Sequence, residues 1–171
     1  YKRQVSDDGV VAFDLMEAVN GHKGVTFIFG TGSQYYTEIL DKAAEKGIEP
    51  DQNVRICSYI NDMPTYLSAS DLIISRAGAL SVAETTVCGK AAILIPSPNV
   101  TGNHQYFNAK SVADKGGAIL LEEKDLTSEG LISEVMRLRN NPEVLEKMSR
   151  ASAQCAPLDA CEVIYAEIEK E

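Results

Sequence analysis

Asp71-Leu72-Ile73-Ile74-Ser75-Arg76-Ala77-Gly78-Ala79-Leu80-Ser81-Val82-Ala83-Glu84 is the stretch whose reading decides the fold. Its short apolar run, Leu72 to Ile74, is bounded by polar residues. That run is too short for a helix and shows no alternation, the pattern of a strand buried on both faces. The chain then turns through the small residues Ala77, Gly78 and Ala79 and resumes with helical spacing. A strand that feeds directly into a helix is half of a βαβ unit. Ligands of open α/β sheets bind at this junction, beyond the carboxyl ends of the strands.

Outward from that stretch the alternation repeats. Strands are expected at Val25–Phe29, Val54–Tyr59, Asp71–Ser75, Ala91–Ile95 and Gly117–Leu121, the fourth stopped by Pro96. Helices are expected at Val10–Val19, Tyr35–Lys46, Asp62–Ala69, Leu80–Cys88, His104–Lys115, Thr127–Arg139, Glu143–Ala153 and Asp159–Glu169. Gly21, Gly47, Gly89 and Gly116 stand where left-handed helix ends favour glycine. Asp62 with Pro64, and Asn141 with Pro142, mark helix starts. The expected fold class is α/β, a Rossmann-like parallel sheet with helices on both faces, in a single domain over residues 1–171 with no linker or repeat. The front is irregular. Tyr1–Asp8 is short and polar, with Lys2–Val5 a weak strand candidate, where a doubly wound sheet normally carries its first central strand. A piece of a longer protein explains this better than a degenerate strand.

Charge narrows the partners. Sixteen Lys and Arg against 25 Asp and Glu give a net charge of −9, which opposes nucleic-acid binding because phosphate contacts dominate that affinity. No apolar run reaches the ~18 residues of a membrane span, and no signal-peptide core follows Tyr1-Lys2-Arg3-Gln4. A cytoplasmic chain is expected. Cys57, Cys88, Cys155 and Cys161 lack metal-ligand spacing, and only His22 and His104 could join them. Free thiols and no metal site are expected.

Three segments carry candidate chemistry. In the first, Gly78 with the helix start at Ala79, Leu80 and Ser81 offers free N–H groups and a positive dipole end suited to a diphosphate. Glu84, one turn on, can accept hydrogen bonds from a ribose diol; Ser81-x-x-Glu84 also reads as a capping box, in which Glu84 serves only the helix. Arg76 is either a substrate contact or the partner of a carboxylate. In the second segment, Pro96 to Asn108, the cluster Asn103, His104 and Gln105 at a helix start suits sugar hydroxyls. Asn103 alone reads equally as a cap, and a lone His104 as structural. In the third, Tyr59 and the backbone of Ile60 can stack on and read a flat heterocycle, or Tyr59 is a core aromatic beside the Asp62 cap. Gly30-Thr31-Gly32-Ser33 is a glycine-rich turn but neither a GxGxxG nor a P-loop.

Tyr59-Ile60-Asn61-Asp62-Met63, Ser68 through Glu84, Gly89-Lys90-Ala91-Ala92-Ile93-Leu94-Ile95-Pro96 and His104-Gln105-x-x-Asn108-Ala109 together resemble the C-terminal domain of glycosyltransferase family 28. The resemblance runs from about Val25 to the end, in the family's order and spacing. It implies the donor-binding lobe of a two-lobed GT-B enzyme: a UDP-N-acetylglucosamine transferase of peptidoglycan synthesis, inverting and metal-independent, with no cofactor. The resemblance further implies that the match to Glu84 holds the ribose, Ala79, Leu80 and Ser81 face the diphosphate, Ile60 reads the uracil, and His104 and Gln105 address the sugar, where several members carry Gln in place of His104. Tyr59, Arg76, Gly78 and Asn103 are further candidates, and no catalytic residue is expected in this lobe. The family's first strand and Gly-Gly-Ser-Gln loop are not matched by Tyr1–Gly9. The N-terminal acceptor lobe, which binds lipid I and meets the membrane at its cytoplasmic face, is absent from the sequence. Two alternatives stand beside this reading: a stand-alone donor subunit that pairs with a separate acceptor chain, and a related UDP-sugar lipid glycosyltransferase.

Overall fold

The computed structural model describes residues 10–20, 24–45 and 53–170. In chain order the described elements are α1 (Val10–Val19), β1 (Phe27–Gly30), α2 (Tyr36–Glu45), β2 (Val54–Cys57), α3 (Met63–Ala69), β3 (Leu72–Ser75), α4 (Ala79–Val87), β4 (Ala91–Leu94), α5 (His104–Ala113), β5 (Ala118–Leu120), α6 (Ser128–Arg139), α7 (Pro142–Ala153) and α8 (Ala160–Ile168). Short 3₁₀ turns at Thr101–Asn103 and Glu123–Asp125 precede α5 and follow β5. Every expected element in the described regions is present, most strands being a residue or two shorter than expected. The helix ends expected at Gly21 and Gly47, and the strand candidate at Lys2–Val5, lie outside the described residues.

All strand pairs are parallel, but the single sheet expected from sequence divides in two. β1 pairs with β2, and β3, β4 and β5 form a second ladder in that order. β4 lies at the centre of the three, and all four of its residues are buried. Its side chains alternate between two cores, as the two-residue period of a strand dictates. Ala91, Ile93 and Ile95 join a cluster with Leu15 and Met16 of α1, Phe29 of β1 and Leu131 and Leu138 of α6. Ala92 and Leu94 join the other, with Leu67 of α3, Ala109 and Val112 of α5 and Ala118 of β5. The first cluster contains residues of both ladders, so one core underlies the divided sheet.

Local chemistry sets the helix boundaries. The Asp62 carboxylate accepts from the Thr65 N–H, with Pro64 in the first turn of α3. Thr127 caps α6 by accepting from Gly130 N–H at 3.1 Å, and Pro142 opens α7. Gly89 and Gly116 adopt φ of 60° and 81° just past α4 and α5, the left-handed ends that glycine tolerates without strain. Gly117 is required for a different reason: a Cβ there would lie 2.7 Å from the backbone of Ser152, so β5 can start beneath α7 only without a side chain.

Candidate functional site

Within each ladder the strands are parallel, so the segments that follow β1 and β2 leave from the same end of the first ladder, and those that follow β3 and β4 from the same end of the second. The candidate site residues lie in the segments after β2, β3 and β4. Gly78, extended at φ −63° and ψ 148°, is the N-cap of α4 and makes no side-chain cap bond. The Val82 N–H is the first to close on it, at 3.0 Å from the Gly78 carbonyl. The N–H groups of Ala79, Leu80 and Ser81 therefore stay outside the helix ladder, at the positive end of the helix dipole. Ala79 is exposed and the Leu80 side chain is 81% exposed.

This start also corrects the capping-box alternative. With Gly78 as cap, Ser81 and Glu84 lie too far into the helix to cap it. Glu84 is exposed, and its carboxylate has no intramolecular partner among the described residues. Among the described residues, three N–H groups without a partner and, one turn later, an acceptor without one lie on one accessible helix.

Tyr59 and Ile60 follow β2. Tyr59 is 62% exposed, which overturns the core-aromatic alternative. Ile60 is half-buried and leans on the β1 turn: a Cβ on Gly30 would come within 3.3 Å of Ile60 Cδ1. The same turn is tied to β2 by the Thr31 N–H, which donates to the Cys57 carbonyl at 2.9 Å, and by the Thr31 hydroxyl, which donates to it at 3.2 Å.

The His104-Gln105 pair begins α5. Asn103 stands at the N-cap position of α5, as its alternative reading had it, but it is left-handed, φ 53°, and its side chain makes no capping bond. Asparagine is one of the few non-glycine residues that visit this conformation readily. His104 is exposed, with Nδ1 2.9 Å from the Thr101 carbonyl. A carbonyl only accepts, so Nδ1 is the donor in this contact, and the tautomer with that proton on Nδ1 presents Nε2 as an acceptor. Gln105 Oε1 accepts from the Ser97 N–H at 3.0 Å, which leaves its NH₂ group as a donor.

Arg76 has the structural partners that its second reading required. Its guanidinium lies 2.6 Å from the Glu123 carboxylate, with the Arg76 side chain 12% exposed, and also reaches the carbonyls of Ile95 and Pro96 at 3.5 and 3.4 Å. Two residues to which the sequence assigned no role take part here. Glu123 is the counter-ion of Arg76, and Asn108 Nδ2 donates to the Ala77 carbonyl at 3.1 Å. The sequence signal for Asn108 was its place in the His104-Gln105-x-x-Asn108 motif; nothing in the sequence pointed to Glu123. A cleft of 340 Å³ opens beside this network, lined by Pro96, Pro98, Asn103, Tyr106, Glu123 and Lys124 among others. Of the expected site residues only Asn103 borders it.

Among the described residues no group of three or more His, Cys, Asp or Glu side chains converges as a metal cage, and the four cysteines are free thiols. No described helix is long and apolar enough to cross a membrane.

Comparison with known proteins is consistent with this geometry. A UDP-N-acetylglucosamine–N-acetylmuramyl-(pentapeptide) pyrophosphoryl-undecaprenol N-acetylglucosamine transferase of Bacillus cytotoxicus is 43% identical over 163 residues, which is 95% of this chain and 43% of that protein. The chain thus spans less than half the length of the curated relatives it matches. The crystal structure of Acinetobacter baumannii MurG superposes with a TM-score of 0.79 at 27% identity, over all of this chain and 48% of the other. The C-terminal domain of a Francisella tularensis group 1 glycosyltransferase, at 13% identity and a TM-score of 0.61 over 90% of this chain and 80% of its own length, shares the fold. Residues 11–163 match the glycosyltransferase family 28 C-terminal domain, and the chain belongs to that family.

Proposed function

We propose that the chain is the donor-binding lobe of an inverting hexosyltransferase, which passes N-acetylglucosamine from UDP to the 4-hydroxyl of the muramoyl sugar of lipid I. The products are lipid II and UDP. The observation that carries this reading is the arrangement on α4: free N–H groups at Ala79, Leu80 and Ser81, and the unpartnered Glu84 carboxylate one turn beyond. One helical turn advances ~5.4 Å, a spacing that suits a diphosphate at the helix start and a ribose diol at Glu84. The names of the relatives agree in donor class and reaction.

In this reading the Ile60 backbone reads the uracil and exposed Tyr59 stacks on it. The Nε2 of His104 accepts from a sugar hydroxyl, while the Gln105 amide donates to one. Gly78 lets the diphosphate approach the backbone. In the transfer, the acceptor oxygen forms a bond to the anomeric carbon as the bond from that carbon to the diphosphate oxygen breaks. The acceptor proton passes to a base, and the electron pair leaves with UDP. The start of α4 favours the negative charge that develops on the leaving diphosphate.

The base and the acceptor surface belong to a second, N-terminal lobe in this proposal, and contact with the cytoplasmic face of the membrane is made through it. Inverting transfer needs a base at the acceptor hydroxyl and a second wall to orient the donor. The 171-residue chain by itself is therefore expected to bind donor weakly and not to turn over.

Calorimetric titration with UDP-N-acetylglucosamine, UDP and NADH tests the reading, repeated on Glu84→Ala. Binding of the two uridine ligands but not NADH, lost in the variant with an unchanged thermal midpoint, is expected. Equal binding of NADH, or wild-type affinity in Glu84→Ala, would overturn it.

A further inference from the structure

We propose that Arg76 is a positioning residue: with Glu123 as its counter-ion, it closes a ring of hydrogen bonds that fixes the spacing between the start of α4 and the His104-Gln105 pair. The ring can be followed bond by bond. The Arg76 guanidinium holds the carbonyls of Ile95 and Pro96 at the end of β4. The next residue, Ser97, donates its N–H to Gln105 Oε1. One turn along α5, Asn108 donates to the carbonyl of Ala77, the residue that follows Arg76. Glu123, beyond β5, anchors the guanidinium from the third strand of the ladder.

Both ends of the ring are parts of the donor site proposed above, and the inference rests on that reading. The peptide that joins Ala77 to Gly78 is planar and trans, so drawing its carbonyl toward Asn108 sends the Gly78 N–H the opposite way. At the other end, the bond from the Ser97 N–H to Oε1 fixes the amide plane of Gln105 and so the direction of its NH₂ donors. Arg76 itself is poorly suited to hold a diphosphate. Its side chain is 12% exposed and its charge is met by a carboxylate at 2.6 Å. Arg76 presents the same nitrogen, Nη1, to Glu123 and to both carbonyls, and the rigid planar guanidinium fixes the place of that nitrogen more tightly than the freely rotating ammonium of lysine would.

The experiment measures dissociation constants for UDP and for UDP-N-acetylglucosamine in the 171-residue chain, in wild type, Arg76→Lys and Glu123→Gln. Thermal midpoints and amide NMR spectra accompany them. Both variants are expected to weaken UDP-N-acetylglucosamine roughly tenfold, the scale of a loosened supporting contact, while UDP alone changes much less. If Arg76→Lys weakens both ligands equally and Glu123→Gln leaves both at wild-type values, Arg76 touches the diphosphate and the inference fails. It fails also if the midpoints fall but the ratio of the two affinities stays fixed, since the pair then serves stability alone. Should the wild type bind neither ligand, the donor reading falls by itself and the ring is judged from the spectra. Glu123→Gln should then shift the backbone amides of Ala79 and Leu80 together with the side-chain amide of Gln105. Movement at one end only would overturn the ring.

Discussion

The two ladders differ in how they are held. β3, β4 and β5 form three registered strands covered on both faces, with β4 fully buried. β1 and β2 form a single pair in which Phe29 and Val54 are the buried strand residues. At the site edge the contrast recurs. The β3 and β4 side is braced by Arg76–Glu123, Gln105–Ser97 and Asn108–Ala77, whereas the β1 and β2 side relies on Thr31–Cys57 and on Ile60 resting against Gly30. In the proposed reading, the diphosphate and sugar contacts fall on the braced side and base recognition on the lightly held one. Core substitutions in the first ladder should therefore cost more stability than equivalent changes in the second.

The largest expected effect is at Ile93, which is 0% exposed and sits at the centre of the three-stranded ladder. Ile93→Ala should cost about 4 kcal/mol by chemical denaturation, the upper part of the range for large-to-small core changes. Ile56→Ala, in half-buried β2, should cost about half as much. Equal losses would erase the contrast. Gly117→Ala comes next: its Cβ would meet the Ser152 backbone at 2.7 Å, and about 3 kcal/mol is expected because backbone, unlike a side chain, cannot step aside cheaply. Gly30→Ala, facing the flexible end of Ile60 at 3.3 Å, should cost under about 1 kcal/mol. It should nonetheless weaken UDP binding measurably, by displacing Ile60.

The smallest effect lies on the surface of α6. A hydrogen bond from Arg137 holds the Glu134 carboxyl below its ordinary value of 4.5, against the opposing pull of partial burial. A carboxyl whose folded value is lowered stabilises the fold above its unfolded value and loses that contribution as pH falls through the folded one. Glu134→Gln should therefore lower the thermal midpoint by about 1 °C at neutral pH, the scale of an exposed pair. The difference should vanish in strong acid, and scanning calorimetry at both pH values checks it.

Legibility from sequence followed the same division. Asp71 to Glu84 announced its strand, its turn and its exposed helix start, because short apolar runs and small residues report backbone geometry directly. The position of Glu84 relative to the cap was not legible: Ser81-x-x-Glu84 is a capping box only if Ser81 is the cap, and the structure starts the helix at Ala79 after Gly78. Asn103 likewise has a cap's residue type, but its left-handed backbone leaves the side chain without a capping bond. The Arg76–Glu123 pair joins residues 47 apart, and no local pattern carries that information. The division of the sheet was hidden for a similar reason, since each strand's sequence states that it is buried but not which neighbour it pairs with.

The central claim is that one donor is held across both ladders, its base by the lightly held one and its diphosphate by the braced one. The most direct measurement is titration of the ¹⁵N-labelled chain with UDP-N-acetylglucosamine, following backbone amides. The account predicts that Ile60 shifts with Ala79, Leu80 and Ser81 along a single binding curve, and that Glu84→Ala abolishes all four. Shifts confined to the cleft around Pro98, Tyr106 and Lys124, or to one ladder alone, would contradict it.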